Sequence, residues 1–153
     1  MTYSVKRTAS TDSDFIELVN RLDAELAKIN GNEEAFYSQF NKIDKINHVV
    51  LVYENQIPIA CGAIKQFSTT EMEVKRMFTL PDYRGKGAAS ILLKDLEKWA
   101  KEMNYEKCVL ETSKRQPDAL ALYEKNGYQV IPNYGQYIGI ENSICFEKNL
   151  QYA

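Results

Sequence analysis

The residues with the clearest capacity for chemistry lie between Thr79 and Trp99, in "TLPDYRGKGAASILLKDLEKW". Turn residues lead into the glycine-rich, basic patch Arg84-Gly85-Lys86-Gly87, and a helical pattern begins without an interval. The first turn of a helix exposes unpaired N–H groups and the positive end of the peptide dipoles. That combination seats anions, phosphates above all. Glycine lets a bulky phosphate approach the backbone, and Arg84 and Lys86 add charge, either as direct contacts or by solvating the loop. A basic turn with no ligand is the plainer alternative. The segment is not a Walker A loop, and it lacks the third glycine of a dinucleotide fingerprint, with Ser90 in that place.

Outside this segment the reactive types are sparse. Tyr123 sits in "ALALYEKNGY", where the leucines alone would read it as core. Glu71, Glu73 and Glu111 fall on strand-like runs, and Glu73 reads on its own as a solvent-facing carboxylate or as a partner for Lys75. The loop "IPNYGQYIGIENS" crowds Asn133, Tyr134, Tyr137, Glu141 and Asn142 around glycines, as a specificity loop or as a polar hairpin covering the core edge. Cys61, Cys108 and Cys145 each lie in an apolar run and form no C-x-x-C pair, which points to buried free thiols. The lone His48 has no metal-ligand spacing around it, so no metal site is expected.

The elements that must position these residues read in the order β-α-α-β-β-β-α-β-α-β-β. A short strand spans Thr2 to Thr8. A helix capped by Asp12 or Ser13 follows, with Phe15, Leu18, Val19, Leu22 and Leu26 on one face and Gly31 as its stop. "NEEAFYSQFNKI" suggests a second helix clustering Phe36, Tyr37 and Phe40. Two β-rich runs flank a hairpin at Glu54-Asn55-Gln56, and a third strand covers Glu71 to Leu80. The helix from Gly87 to Met103 stripes Leu92, Leu93, Leu96, Trp99, Ala100 and Met103. "EKCVLET" is a strand, "PDALALYEKN" a helix opened by Pro117 and stopped by Gly127, and "YQVI" and "NSICFEKNL" are closing strands. This is an α/β domain in α+β layers, a mixed and mostly antiparallel sheet with a central β-α-β crossover and helices on both faces. One domain over residues 1–153 is expected, with no linker or repeat.

Arg84-Gly85-Lys86-Gly87-Ala88-Ala89 matches [RQ]-x-x-G-x-[GA] between a strand and a helix, and "EVKRMFTLPDYRGKG" and "LETSKRQPDALALYEKNGY" stand in order around it. Over about Val49 to Val130 the chain resembles the GNAT superfamily of N-acetyltransferases. The resemblance implies acetyl-CoA as cosubstrate, with its pyrophosphate on Arg84, Gly85, Lys86, Gly87, Ala88, Ala89 and Ser90. Its pantetheine arm would pair as an added strand with the backbone of Met77, Phe78 and Thr79. An N–H of Met77 or Phe78 would face the thioester oxygen. Gln116 stands where many members place a cofactor-touching asparagine. Tyr123 is implied as general acid to the leaving thiolate, and Glu73 as general base, with Glu71, Glu111 or water as alternatives. Glu111, Asn133, Tyr134 and Tyr137 are candidate acceptor-binding residues, and Tyr37 with Phe40 a candidate opposite wall.

The implied reaction is transfer of an acetyl group to a primary amine by direct attack, with a small polar amine as acceptor. A protein N-terminus or lysine is the alternative acceptor. A non-catalytic CoA-binding domain and a nucleotide-binding domain on Gly85-x-Gly87 are the rival classes. A homodimer is compatible with the resemblance. The net charge of −2, from 19 basic and 21 acidic residues, gives no drive toward nucleic acid. No apolar run approaches the roughly 18 residues of a membrane span, and the N-terminus lacks a signal core. A cytoplasmic protein is expected.

Overall fold

The first helix, α1 (Ser13–Asn30), is fixed at both ends by local chemistry. The Asp12 carboxylate accepts from the Asp14 N–H at 2.9 Å, and Gly31, at φ +53°, returns its N–H to the Ala27 carbonyl. Phe15, Leu18, Val19 and Leu22 fall on the buried face and pack with Ile46, Val49, Leu51, Cys61, Ala63 and Phe78. Each such side chain contributes about 1.5–3 kcal/mol by leaving water. The computed structural model describes residues 2–31 and 45–152. The helix expected over Asn32 to Ile43, with Tyr37 and Phe40, lies outside them.

The strands are β1 (Tyr3–Thr8), β2 (His48–Glu54), β3 (Ile57–Gln66), β4 (Glu71–Thr79), β5 (Lys107–Ser113), β6 (Gln129–Ile131) and β7 (Ser143–Asn149), in sheet order β1-β2-β3-β4-β5-β7-β6. Helix α2 (Ala88–Glu102) connects β4 to β5, and α3 (Pro117–Lys125) connects β5 to β6. The β4–β5 ladder is parallel, as the β-α-β crossover requires. The ladders β1–β2, β2–β3, β5–β7 and β6–β7 are antiparallel. The mostly antiparallel mixed sheet expected from the sequence is therefore the one found. Asn55 and Gln56 both take positive φ, 51° and 69°, which is the two-residue hairpin turn whose twist suits its strands.

Two compact units divide the chain. The first comprises Met1–Lys65 and Lys75–Leu96 and the second Gln66–Val74 and Glu97–Ala153, so β4 and α2 each contribute to both. In the first unit, Gly62 of β3 has no room for a side chain. A Cβ there would sit 2.6 Å from Met77 Sδ, 3.0 Å from Leu96 Cδ1 and 3.3 Å from Leu92 Cδ2. Gly62→Ala should therefore destabilise the fold by about 1–3 kcal/mol, as overpacking does. A lower urea midpoint at unchanged m would show it, and an unchanged midpoint would mean that Met77 swings aside freely.

In the second unit the registers define two faces. Glu73 pairs with Val109, Val109 with Glu147, and Glu111 with Cys145. Partners share a face and alternate residues return to it, so Glu73, Val109, Glu111, Cys145 and Glu147 lie on one side. Cys108, Leu110 and Phe146 lie on the other and are buried. The first face mixes the buried Val109 and Cys145 with three carboxylates, and the second is apolar core.

Candidate active site

Strand β4 carries the first half of the site. Its buried positions alternate through Met72, Val74, Arg76 and Phe78. Arg76 breaks the apolar pattern, and it also breaks the backbone, with φ at +60° inside the strand. A non-glycine residue in that region is strained and persists only where its surroundings hold it. Here the guanidinium, only 2% exposed, donates to Asp23 Oδ1 of α1 at 2.8 Å, and its carbonyl accepts from Cys61 Sγ at 3.4 Å. This positive φ stands just before Met77 and Phe78, the residues expected to meet the thioester. Sequence reasoning missed Arg76. The signal was available as a charged residue at an inward position of an alternating strand.

After β4, Pro81–Tyr83 forms a single 3-10 turn, with Tyr83 N–H to Leu80 O at 2.9 Å and Arg84 N–H to Pro81 O at 3.3 Å. Gly85 and Gly87 then take φ of +77° and +88°. The Gly87 carbonyl accepts the Ile91 N–H at 3.1 Å and so opens α2. The first-turn N–H groups of α2 have no acceptor within the helix by geometry. Among the described residues, no atom lies within 4 Å of a Cβ placed on Gly85 or Gly87. These glycines therefore serve backbone conformation, and the space over them is open, a cradle of the kind a pyrophosphate needs.

The two cations of the loop differ. Arg84 donates from Nε to the Thr79 carbonyl at 2.8 Å and from Nη2 to both Glu25 oxygens at 2.9 and 3.0 Å. It also lies over the Phe78 ring at 5.5 Å. This geometry ties the loop to the end of β4 and to α1, a bracing role outside the two readings that the sequence offered for Arg84. The exposed Lys86 ammonium lies 6.0 Å from the Tyr83 ring centroid, and the Lys86 carbonyl accepts from Tyr3 Oη at 3.0 Å.

The second unit gathers the acid–base candidates. Tyr134 Oη donates to Glu73 Oε2 at 2.7 Å. The Tyr134 ring meets Phe67 edge-on at 4.7 Å and Tyr137 at 5.9 Å. Asn133, expected in the acceptor pocket, donates from its amide nitrogen to the carbonyls of Tyr137, Ile140 and Ser143 at 3.1–3.2 Å and so shapes the loop. Glu71 accepts from Ser68 Oγ at 3.0 Å and closes the turn before β4. Tyr137 is buried, and burial, then the charges of Glu111 and Glu73, push its ionisation up.

Tyr123 of α3 is buried against Tyr128 and Phe146, with ring centroids 5.7 and 6.0 Å away. Burial, then the Glu111 charge, raise its ionisation above the ordinary tyrosine range, so it holds its proton. Gln116 precedes α3, and its Oε1 accepts from Thr112 Oγ1 at 3.3 Å. The thiols are unsuited to nucleophilic attack: all three are free, and burial pushes Cys61 and Cys108 up to about 12 and Cys145 to about 11. Among the described residues no three His, Cys, Asp or Glu side chains form a metal-binding group, and no helix is long and apolar enough to cross a membrane.

Comparison with known proteins decides the family. Residues 16–128 match the model of the acetyltransferase (GNAT) family. The chain belongs to the GNAT acetyltransferases. Among the relatives of this GNAT protein, the N-acetyltransferase YjgM of Escherichia coli is 35% identical over 85 residues, 54% of this chain and half the length of YjgM. A solved Klebsiella pneumoniae structure, described as an acyl-CoA N-acyltransferase, superposes with a TM-score of 0.82 at 28% identity, covering 97% of this chain and 98% of that one. The PaiA N-acetyltransferase of Thermoplasma acidophilum, solved with coenzyme A, shares the fold at a TM-score of 0.70 and 18% identity, covering 97% and 99%.

Proposed function

We propose that this GNAT protein transfers the acetyl group of acetyl-CoA to the primary amine of a small polar acceptor by direct attack. The observation that carries the reading is the composition of β4. Its parallel ladder to β5 covers Glu71 to Glu73, the strand runs on to Thr79, and the glycine-rich mouth of α2 follows directly. One strand thus carries a carboxylate at its start, extended backbone in its later part and a phosphate cradle at its end.

The fit of the cosubstrate rests on that cradle. The open space over Gly85 and Gly87 suits the pyrophosphate, with the N–H groups of Ala88, Ala89 and Ser90 as donors and Lys86 as counter-charge. Backbone groups of Met77 to Thr79 would align the pantetheine arm. The cosubstrate supplies an activated acyl thioester. Glu73 would take a proton from the acceptor ammonium, directly or through water, because only the neutral amine attacks. The nitrogen–carbon bond forms as the carbon–sulfur bond breaks, and Tyr123 would give its proton to the departing thiolate. The loop aromatics Tyr134 and Tyr137, with Glu111, offer apolar walls and negative charge to an ammonium group.

Thermal unfolding with acetyl-CoA, NAD and ATP, followed by thiol release against a panel of amines, tests the reading. Acetyl-CoA at a hundred times its Kd should add about 2.7 kcal/mol of stability, NAD and ATP none, and a small amine should release CoA thiol. Stabilisation by NAD or ATP alone would overturn it, and turnover confined to peptides would move the acceptor to protein.

A further inference from the structure

We propose that Tyr134 is a positioning residue for the general base, holding the Glu73 carboxylate oriented and ionised for the incoming ammonium. The inference rests on the reading of Glu73 as base. It assigns Tyr134 a task different from lining the acceptor pocket.

Three observations carry it. The hydroxyl donates to Glu73 Oε2 at 2.7 Å, the length of a charge-assisted O–H···O⁻ bond, and it joins residues 61 apart in sequence. The ring is fixed from two sides, by Phe67 at 4.7 Å and Tyr137 at 5.9 Å. The loop that presents it is locked by the preceding residue, since Asn133 binds three carbonyls spread from Tyr137 to Ser143. Consecutive residues therefore do complementary work: Asn133 sets the loop, and Tyr134 sets the carboxylate.

A donor aimed at a carboxylate favours its charged form. Tyr134 must stay protonated to serve, and it does: burial, then the Glu73 charge and hydrogen bond, push its ionisation far up. The other groups bearing on this corner are Tyr137 and Cys145, each of which feels both Glu73 and Glu111. Glu71 and Lys75 flank Glu73 on β4, and Lys107 of β5 pairs with Glu71 in register. Losing the Tyr134 hydroxyl lets the base keep its proton to higher pH, so the acid limb of activity moves upward.

The test is the pH profile of kcat/KM for Tyr134→Phe, beside Glu73→Gln and the parent protein. Phenylalanine keeps the ring and its contacts with Phe67 and Tyr137, so folding is preserved. The acid limb should shift to higher pH by about half a unit to one unit, with KM for acetyl-CoA unchanged and a high-pH plateau within about threefold of the parent, while Glu73→Gln loses activity at every pH. A uniform loss with an unmoved limb would show a merely structural role and overturn the proposal. An active Glu73→Gln would overturn the base assignment and this inference with it, whereas an inactive Glu73→Gln beside an unmoved Tyr134→Phe limb overturns the inference alone. Should Tyr134→Phe fail to fold, Asn133→Ala, which loosens the same loop, should move the limb in the same direction, and an unmoved limb there is equally decisive against it.

Discussion

Tyr123→Phe is expected to lower kcat by about a hundredfold or more, the usual worth of a positioned general acid, while the protein folds and binds acetyl-CoA as before. The ring lies against Tyr128 and Phe146 in the buried interior of the second unit, so a phenylalanine keeps every packing contact. Only the hydroxyl goes. Its proton is held firmly in the resting protein by burial and by the Glu111 charge, so as the proposed acid it would meet a departing thiolate protonated. Since thiolate charge develops only as the carbon–sulfur bond breaks, the lost interaction belongs to the transition state. The kinetic signature is therefore a parallel fall in kcat and kcat/KM at unchanged KM. Full turnover by Tyr123→Phe would remove the acid role and leave the thiolate to water. Full retention of cellular function by a variant that no longer turns over would favour the non-catalytic class of CoA-binding domain.

The contrast between Tyr123 and Arg84 shows what a sequence can reveal about such a site. The elements are legible because their causes are local. Phe15, Leu18, Val19 and Leu22 recur at helical spacing, Asp12 caps the helix two residues before Asp14, and Asn55-Gln56 turns a hairpin between β-rich runs. The glycine cradle is local as well, because it is a strand end, two glycines and a helix start in succession. What side chains do there is not local. Arg84 meets Glu25 across 59 residues, Arg76 meets Asp23 across 53, and Tyr134 meets Glu73 across 61. No spacing rule connects such pairs, so the sequence offers Arg84 as a phosphate ligand or as a residue that solvates the loop, and its partner Glu25 appears only in the fold. Asn133 makes the same point: polar residues on a loop suggest a ligand, but this amide is consumed by the loop's own carbonyls. Arg76 lay within reach of sequence reasoning, because a buried-side arginine in an alternating strand requires a partner.

Gly87→Val should weaken acetyl-CoA binding about tenfold to a hundredfold, the equivalent of one lost charge-assisted hydrogen bond at about 1.5–3 kcal/mol. Gly87 holds φ at +88° while its carbonyl starts the α2 ladder through Ile91. A residue with a Cβ in the left-handed region costs about 1–2 kcal/mol, and a β-branched one more. The loop then keeps its shape at a cost in stability, with two methyl groups in the space over the cradle, or it relaxes to negative φ and turns its N–H groups away from a common point. Both outcomes weaken the hold on the pyrophosphate. Stability loss alone is not diagnostic, so the control is Gly31→Val. Gly31 also holds a positive φ, at +53°, with nothing within 4 Å of its Cβ position, but it closes α1. That variant should lose a similar amount of stability and keep its affinity. Equal loss of acetyl-CoA affinity in the two variants would make the effect one of general strain and remove the helix mouth from the cofactor site. Loss confined to Gly87→Val would assign the seat of the pyrophosphate to the junction of β4 and α2, where the sequence places its glycines.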